Sequence, residues 1–347
     1  MRPTLELGGE VDFIGHSDLE DSIRTHEAQG ITTGDNSWYM VAGNRVWKYP
    51  LAGSLRSHIE SNNSVSAANP LGPRTDDHLG DLVYADGKVY VAGHGHTIVV
   101  FDKDLNYLGM ADASAPHLAE WSLRSALAWI AHDPARNRFY SSDFDMAWWA
   151  ESFEIVDCTV VSNCDARTTE RFELRDPRPV HFVKEGTGEL QGIARVQGGA
   201  VADQTLYLTS DVADGGIVAV DLSYFNVDPT RRGTGHVRGF APVTIDKGAG
   251  DNCRTVVHTG CAIVGGIALG PLGVIGGWLV CDQVIPPKHC EGLKEELQGV
   301  TVHNGSLYAV LQENDVPFPV GGNDSLILKR VDILGDPNAG ACRGALP

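Results

Sequence analysis

Three glutamates, a histidine and several glutamines recur at matching points of this sequence, and their types suit cation binding or proton transfer. Glu189-Leu190-Gln191-Gly192-Ile193 returns almost letter for letter as Glu296-Leu297-Gln298-Gly299-Val300. Looser copies are Glu27-Ala28-Gln29-Gly30-Ile31 and His78-Leu79-Gly80-Asp81-Leu82. Glu27, Glu189 and Glu296, with His78, therefore share one position of a repeated unit. Carboxylates crowded together repel one another unless something compensates. A hard cation such as Ca²⁺, which takes about six to eight oxygen ligands, would do so. Alternatively one carboxyl keeps its proton, its pKa raised by its neighbours and by desolvation. The first state polarises a carbonyl or a water. The second, with His78 nearby, runs acid–base chemistry. The plain alternative is that these side chains hydrogen-bond the neighbouring unit's backbone and seal the assembly.

What must position these residues is a strand–turn–strand unit. Each copy runs into an apolar-Tyr strand: Trp38-Tyr39-Met40, Val89-Tyr90-Val91, Leu206-Tyr207-Leu208 and Leu307-Tyr308-Ala309. The turns between, such as Gly34-Asp35-Asn36, Asp86-Gly87 and Asn304-Gly305, are of the hairpin type. Four units add a third strand ending at Asp102, Asp157, Asp221 and Asp332. A phrase that recurs with such a pattern behind it marks a repeat architecture. Six units of roughly 50 residues match β-propeller blades. The sequence therefore predicts an all-β, six-bladed β-propeller in a single domain over 1–347, with blades beginning near 26, 77, 124, 188, 262 and 295. The segment from Leu5 to Ile14 is expected to add an outer strand to the last blade and close the ring, covering an open edge.

Propeller geometry turns the repeat into a site. Residues just before the first strand and just after the second converge on one mouth of the central channel. Glu27, His78, Glu189 and Glu296 form the first set there; His94, Asp143 and Asp211 belong to the second. Gln29, Gln191 and Gln298 lie one step deeper, with Asp81 beside them. Trp148-Trp149 follows in a loop at the same mouth, where an outward indole would suit a sugar ring or a flat apolar ligand; packing under the loop is the alternative. His132-Asp133 falls in a turn at the opposite face and reads as structural. Neither a Gly-x-Ser-x-Gly elbow nor a His-Glu-x-x-His metal motif occurs.

Six blades, each opening near Glu/Gln-x-Gly-apolar and continuing into Gly-x-apolar-Tyr, resemble the calcium-dependent six-bladed propellers of the senescence-marker/gluconolactonase, paraoxonase and strictosidine-synthase-like group. The resemblance covers the repeat pattern over 26–332. Only Glu27 matches that group's early glutamate, and its full set of metal-binding Asn and Asp motifs is absent. The resemblance implies the architecture and a central metal; the repeat itself offers Glu27, Glu189 and Glu296 as partial ligands of a cation such as Ca²⁺.

Composition narrows the partners. The formal net charge of -18 argues against nucleic acid, which demands clustered Lys and Arg. The most apolar run, Ala262 to Val280, is broken by glycines and a proline, so no membrane-spanning helix is expected. Of 7 cysteines, six fall into close pairs: Cys158 with Cys164, Cys253 with Cys261 and Cys281 with Cys290. Each pair brackets a turn-rich loop that a disulfide would close; reduced, half-buried cysteines are the alternative. Disulfides point to a secreted or periplasmic protein. Met1-Arg2-Pro3 leads into Leu5-Glu6-Leu7 with no apolar leader core, so either the protein is intracellular or its leader is missing from this chain, and the cysteines favour the second.

Two functions are expected at the channel mouth. One is a hydrolase-like enzyme acting on a small ester, lactone or glycoside with a bound cation, His78, Glu189 and Glu296 doing the chemistry. The other is a non-catalytic module binding a glycan, a small ligand or a protein. Fold alone does not choose between them.

Overall fold

β-branched and aromatic residues at alternating positions, cut by Asn, Asp and Gly turns, build a protein of strands. The computed structural model describes residues 4–14, 28–52, 65–68, 79–93, 96–113, 127–165, 170–211, 216–223, 225, 233–242, 295–313 and 325–334. Among these there is no helix long and apolar enough to cross a membrane.

β1 (Thr4–Ile14) opens the chain. The first blade is β2 (Ala28–Gly34), β3 (Ser37–Ala42), β4 (Arg45–Pro50) and β5 (Val65–Ala68), paired in that order. The second is β6 (Leu79–Ala85), β7 (Lys88–Gly93), β8 (Thr97–Asp102) and β9 (Tyr107–Asp112). The third comprises β10 (Ala131–Asp133), β11 (Arg138–Ser141), β13 (Trp149–Asp157) and β14 (Phe172–Lys184). A two-stranded ribbon, β12 (Met146–Ala147) with β15 (Ile193–Ala194), joins it to the fourth. The fourth is β16 (Val196–Ala202), β17 (Thr205–Ser210), β18 (Gly216–Asp221) and β19 (Gly233–Pro242). Its outer β19 pairs in parallel with β14, which merges the third and fourth blades into one 8-stranded sheet. The last blade is β20 (Glu295–His303), β21 (Ser306–Glu313) and β22 (Ser325–Leu334). β1 pairs antiparallel with β22 as its fourth strand, so the chain's start covers the edge that β22 would otherwise leave open.

The inner strands stand side by side in a cycle, β20–β2–β6–β10–β16 and back to β20. Each seam of that cycle holds its own apolar core. Trp38 and Trp47 of the first blade meet Tyr308 and Val310 of the last. Tyr39 and Val46 pack with Val89 and Phe101. Tyr90 and Ile98 pack with Phe139 and Phe153. Trp129 and Phe182 pack with Leu206 and Val218. Tyr207 and Ile217 pack with Leu307 and Leu311. Each large side chain buried there contributes roughly 1.5–3 kcal/mol.

The all-β propeller expected from the sequence is the architecture observed. The described residues supply five blades, and the fourth and last pack directly against each other. The unit expected from 262 to 283 lies outside the described residues, as do Cys253, Cys261, Cys281, Cys290 and Cys342. Cys158 and Cys164 form a disulfide at the rim of the third blade.

Candidate functional site

The repeated Gln-Gly phrase has a structural meaning. Pairing skips one residue between Ala28 and Gly30, between Val196 and Gly198, and between Leu297 and Gly299. Gln29, Gln197 and Gln298 are thus the odd residues of matching β-bulges, which bend an inner strand and re-aim its side chains. In β6 the shift spans Leu79 to Leu82 and frees Gly80 and Asp81.

At these bulges the strands approach to backbone contact. A Cβ on Gly299 would lie 2.9 Å from the Gly30 Cα, and one on Gly198 would lie 2.7 Å from the Gln298 carbonyl oxygen. Gly30 faces the Asp81 carboxyl, where any side chain would collide. Asp81 is fully buried and reaches across the axis. Its Oδ2 accepts the Gly199 N–H at 2.9 Å and its Oδ1 accepts the Leu82 N–H at 2.8 Å. Burial pushes its pKa well above the usual carboxylate range, and the two N–H bonds oppose that only in part. Gln29 and Gln298 are buried at the same level. Glycine contacts and one carboxyl therefore form a waist in the channel.

On the turn side of the waist the channel opens into a funnel of about 280 Å³. All five inner strands line it, with Thr32, Leu82, His132, Gly199 and Thr301 as one representative of each. Leu82 and Gly199, whose N–H groups the Asp81 carboxyl accepts, are among its lining residues. Valine, leucine and alanine share its wall with Thr32, Thr33, Tyr84, Asp86, His132 and Thr301, and among the described residues no lysine or arginine lines it. Tyr84 lines one side, stacked on Tyr39 with ring centroids 5.5 Å apart. His132 lines the other, its ring 4.6 Å from that of Phe139. Its Nε2 lies 3.4 Å from the Asn137 Oδ1; an Nε2–H donating there leaves Nδ1 as the proton acceptor. Burial lowers the His132 pKa, with Asn137, Asp86 and Asp133 acting the other way, so the ring is neutral at pH 7. Asp133 itself is structural: it accepts the Ala135 N–H and pairs with Arg136 at 2.6 Å.

The residues singled out from the sequence fall elsewhere. Glu27, His78 and His94 lie outside the described residues. Glu296 is described by its backbone, paired with Gln312 in β20 and β21. Glu189 is exposed and sits against the outer strand of the third blade: its carbonyl accepts the Lys184 N–H at 2.7 Å, and Leu190 bridges Val183. Gln191 follows, its N–H donated to the Phe182 carbonyl at 2.9 Å. The Glu189-Leu190-Gln191-Gly192 copy therefore folds back on β14, and the inner strand of that unit begins later, at Val196-Gln197-Gly198. Glu189 accordingly lies against β14, whereas the Glu296 backbone lies in β20.

Asp143, Trp148, Trp149 and Asp211 do lie on the strand-start side. Asp211 is buried and pairs with Arg195 at 2.7 Å. Trp149 is half-buried against His181, 5.9 Å between ring centroids, whereas Trp148 is exposed. Of the candidates whose side chains are described, Asp81, Gln29 and Gln298 reach the buried waist. His132, Tyr84, Thr32 and Thr301 were not among them. The signal that finds His132 is its place in the hairpin turn of an inner strand.

No family model matches the sequence, and no curated protein matches it either. Among solved structures it is similar to a glutaminyl cyclase of Myxococcus xanthus, at 12% identity and a TM-score of 0.48, covering 96% of this chain and 98% of that one. It is also similar to the computationally designed Ika4 protein, at 11% identity and a TM-score of 0.32 over 61% of this chain and 98% of that chain. AztD of Citrobacter koseri gives 12% identity and a TM-score of 0.31 over 57% of this chain and 45% of that chain.

Proposed function

We propose that this protein binds a small, neutral, hydroxyl- or amide-bearing molecule in the turn-side funnel. The observation that carries this reading is a concave site to which every described inner strand contributes, where aliphatic walls and several polar side chains converge. Its volume lies near the lower end of the roughly 300–1,000 Å³ that ligand pockets occupy, so the ligand is small. The lack of a lining cation disfavours phosphates and carboxylates. Thr301, Tyr84 and His132 supply hydrogen bonds that fix orientation.

The test is a thermal melt of the protein against a panel of neutral sugars, lactones and amides, beside anionic analogues. A neutral ligand at about 100 times its Kd stabilises by about 2.7 kcal/mol. That shift is expected to vanish in Thr301→Val and His132→Phe. Stabilisation by anions alone, or by ligands indifferent to both substitutions, overturns the reading. Melts with added Ca²⁺ or a chelator read out cation dependence in the same series.

His132 favours a second reading, hydrolysis of a small ester or lactone in the same funnel. A neutral imidazole with a free acceptor nitrogen takes the proton of an attacking water, which is general base catalysis. Such turnover is expected to hold above the ordinary histidine value and to fall as pH drops below it, through the lowered pKa of His132. Turnover retained by His132→Asn with the same pH profile excludes this step.

A further inference from the structure

The strand-start face, opposite the funnel, carries an apolar patch that the ligand-binding reading leaves unused. Three large hydrophobic side chains stand exposed there: Met146 at 44%, Trp148 at 43% and Leu190 at 58%. Gly192 lies against two of them, Met146 and Trp148. A Cβ at that position would lie 2.7 Å from the Met146 Sδ and 3.2 Å from the indole carbons of Trp148, so only a glycine lets this backbone lie against both. The patch is held rigidly. Met146 and Ala147 pair with Ala194 and Ile193, and the Trp148 carbonyl accepts the Phe182 N–H at 2.9 Å. A preformed apolar surface loses little freedom on binding, and clustered exposed hydrophobics mark interaction sites.

The rim says what the partner carries. Asp145 directly precedes Met146 and Glu189 directly precedes Leu190, and both are exposed; Asp143 and Glu185 stand close by in sequence. Arg195, itself exposed, is engaged with Asp211 at 2.7 Å and lies over the Phe144 ring, and Lys184 is exposed without adjoining the Asp145-Met146 or Glu189-Leu190 pair in the chain. The chain's net charge is -18, so a second copy and an anionic lipid surface are both repelled.

We propose that the Met146–Trp148–Leu190 patch docks a cationic peptide segment of a partner protein, with apolar side chains seated on the indole and thioether and basic side chains facing Asp145 and Glu189. A carbohydrate stacked on Trp148 is the competing occupant, but the exposed Met146 thioether that meets Trp148 at Gly192 offers a sugar's hydroxyls little.

The test is calorimetric titration of the full chain with a synthetic peptide of alternating Lys and Leu, beside an all-Lys peptide of equal length and an oligosaccharide array. The Lys-Leu peptide is expected to bind about tenfold or more tightly than the all-Lys peptide. Trp148→Ala and Leu190→Ser are each expected to weaken it by about tenfold, and Asp145→Asn with Glu189→Gln to flatten its salt dependence. All four side chains are exposed, so an unchanged melting temperature shows that the fold is kept. Equal binding of the two peptides, or indifference to Trp148→Ala, overturns the proposal. Trp148-dependent oligosaccharide binding without peptide binding overturns it in favour of the sugar. Ligand melts assigned to the funnel are unaffected by these substitutions, so failure here and failure there are separable.

Discussion

Asp81 is a carboxyl placed where water does not reach, yet both of its oxygens accept a backbone N–H. Its raised pKa has a thermodynamic consequence. The native state holds the proton over a range where the unfolded chain, titrating near an ordinary carboxylate value, has released it. Stability is then fully present below the unfolded value and falls as pH rises towards the folded one. A urea-denaturation series across pH is expected to show that slope in the native protein and not in Asp81→Asn. An asparagine amide cannot accept at both positions, so Asp81→Asn is also expected to cost about 2 kcal/mol at acid pH. At the same scale His132 shows why residue type alone misleads. Its place in a hairpin turn reads as structural, and only packing across five strands shows that the turn side holds the funnel.

At the scale of elements, much was legible in the sequence. The turns after β2, β6 and β20 stand where Gly, Asp and Asn place them, because those residues tolerate the left-handed conformations found at Asp35, Asn36, Asp86 and Asn304. Two of the Gln-Gly phrases fall on the bulges of β2 and β20. The best-matching copy, Gln191-Gly192, does not. There the chain meets β14 first, and local hydrogen bonds to Lys184 and Phe182 compete successfully with sheet pairing. Such competition depends on which strand is near in space, which one unit's letters do not encode. The glycines of the waist give a direct test. Gly30→Ala places a methyl into Asp81 and is expected to destabilise by about 3 kcal/mol. Gly87→Ala, in open space at a φ of +75°, is expected to cost about 1 kcal/mol. The Cys158–Cys164 disulfide closes a short loop at the rim, and its loss by double serine substitution is expected to cost about 2 kcal/mol. Equal losses for the two glycine variants contradict a waist made by backbone contact.

At the scale of the molecule, ring closure follows from five apolar seams and from β1 pairing with β22, the chain's two ends completing one sheet. A closed ring of inner strands has two mouths, and the waist at Asp81 makes them different surfaces: on the turn side a funnel with Asp86 as its acidic residue and, among the described residues, no lining lysine or arginine, on the strand-start side an acidic and apolar patch. Of the repeat-equivalent residues, Gln29, Asp81 and Gln298 share one buried level, whereas Gln191 folds back on β14. Which mouth offers a cavity was not, because that depends on side chains from all five strands at once. The funnel walls supply their own reporters, since Leu82, Val83, Val201, Val300 and Val302 carry methyl groups there. Methyl NMR during titration with the neutral compound that most raises the melting temperature is the most direct measurement. Chemical-shift changes concentrated on those five residues, with Leu190 unmoved, are the expected result; changes gathered around Leu190, or absent from the funnel at saturation, contradict it.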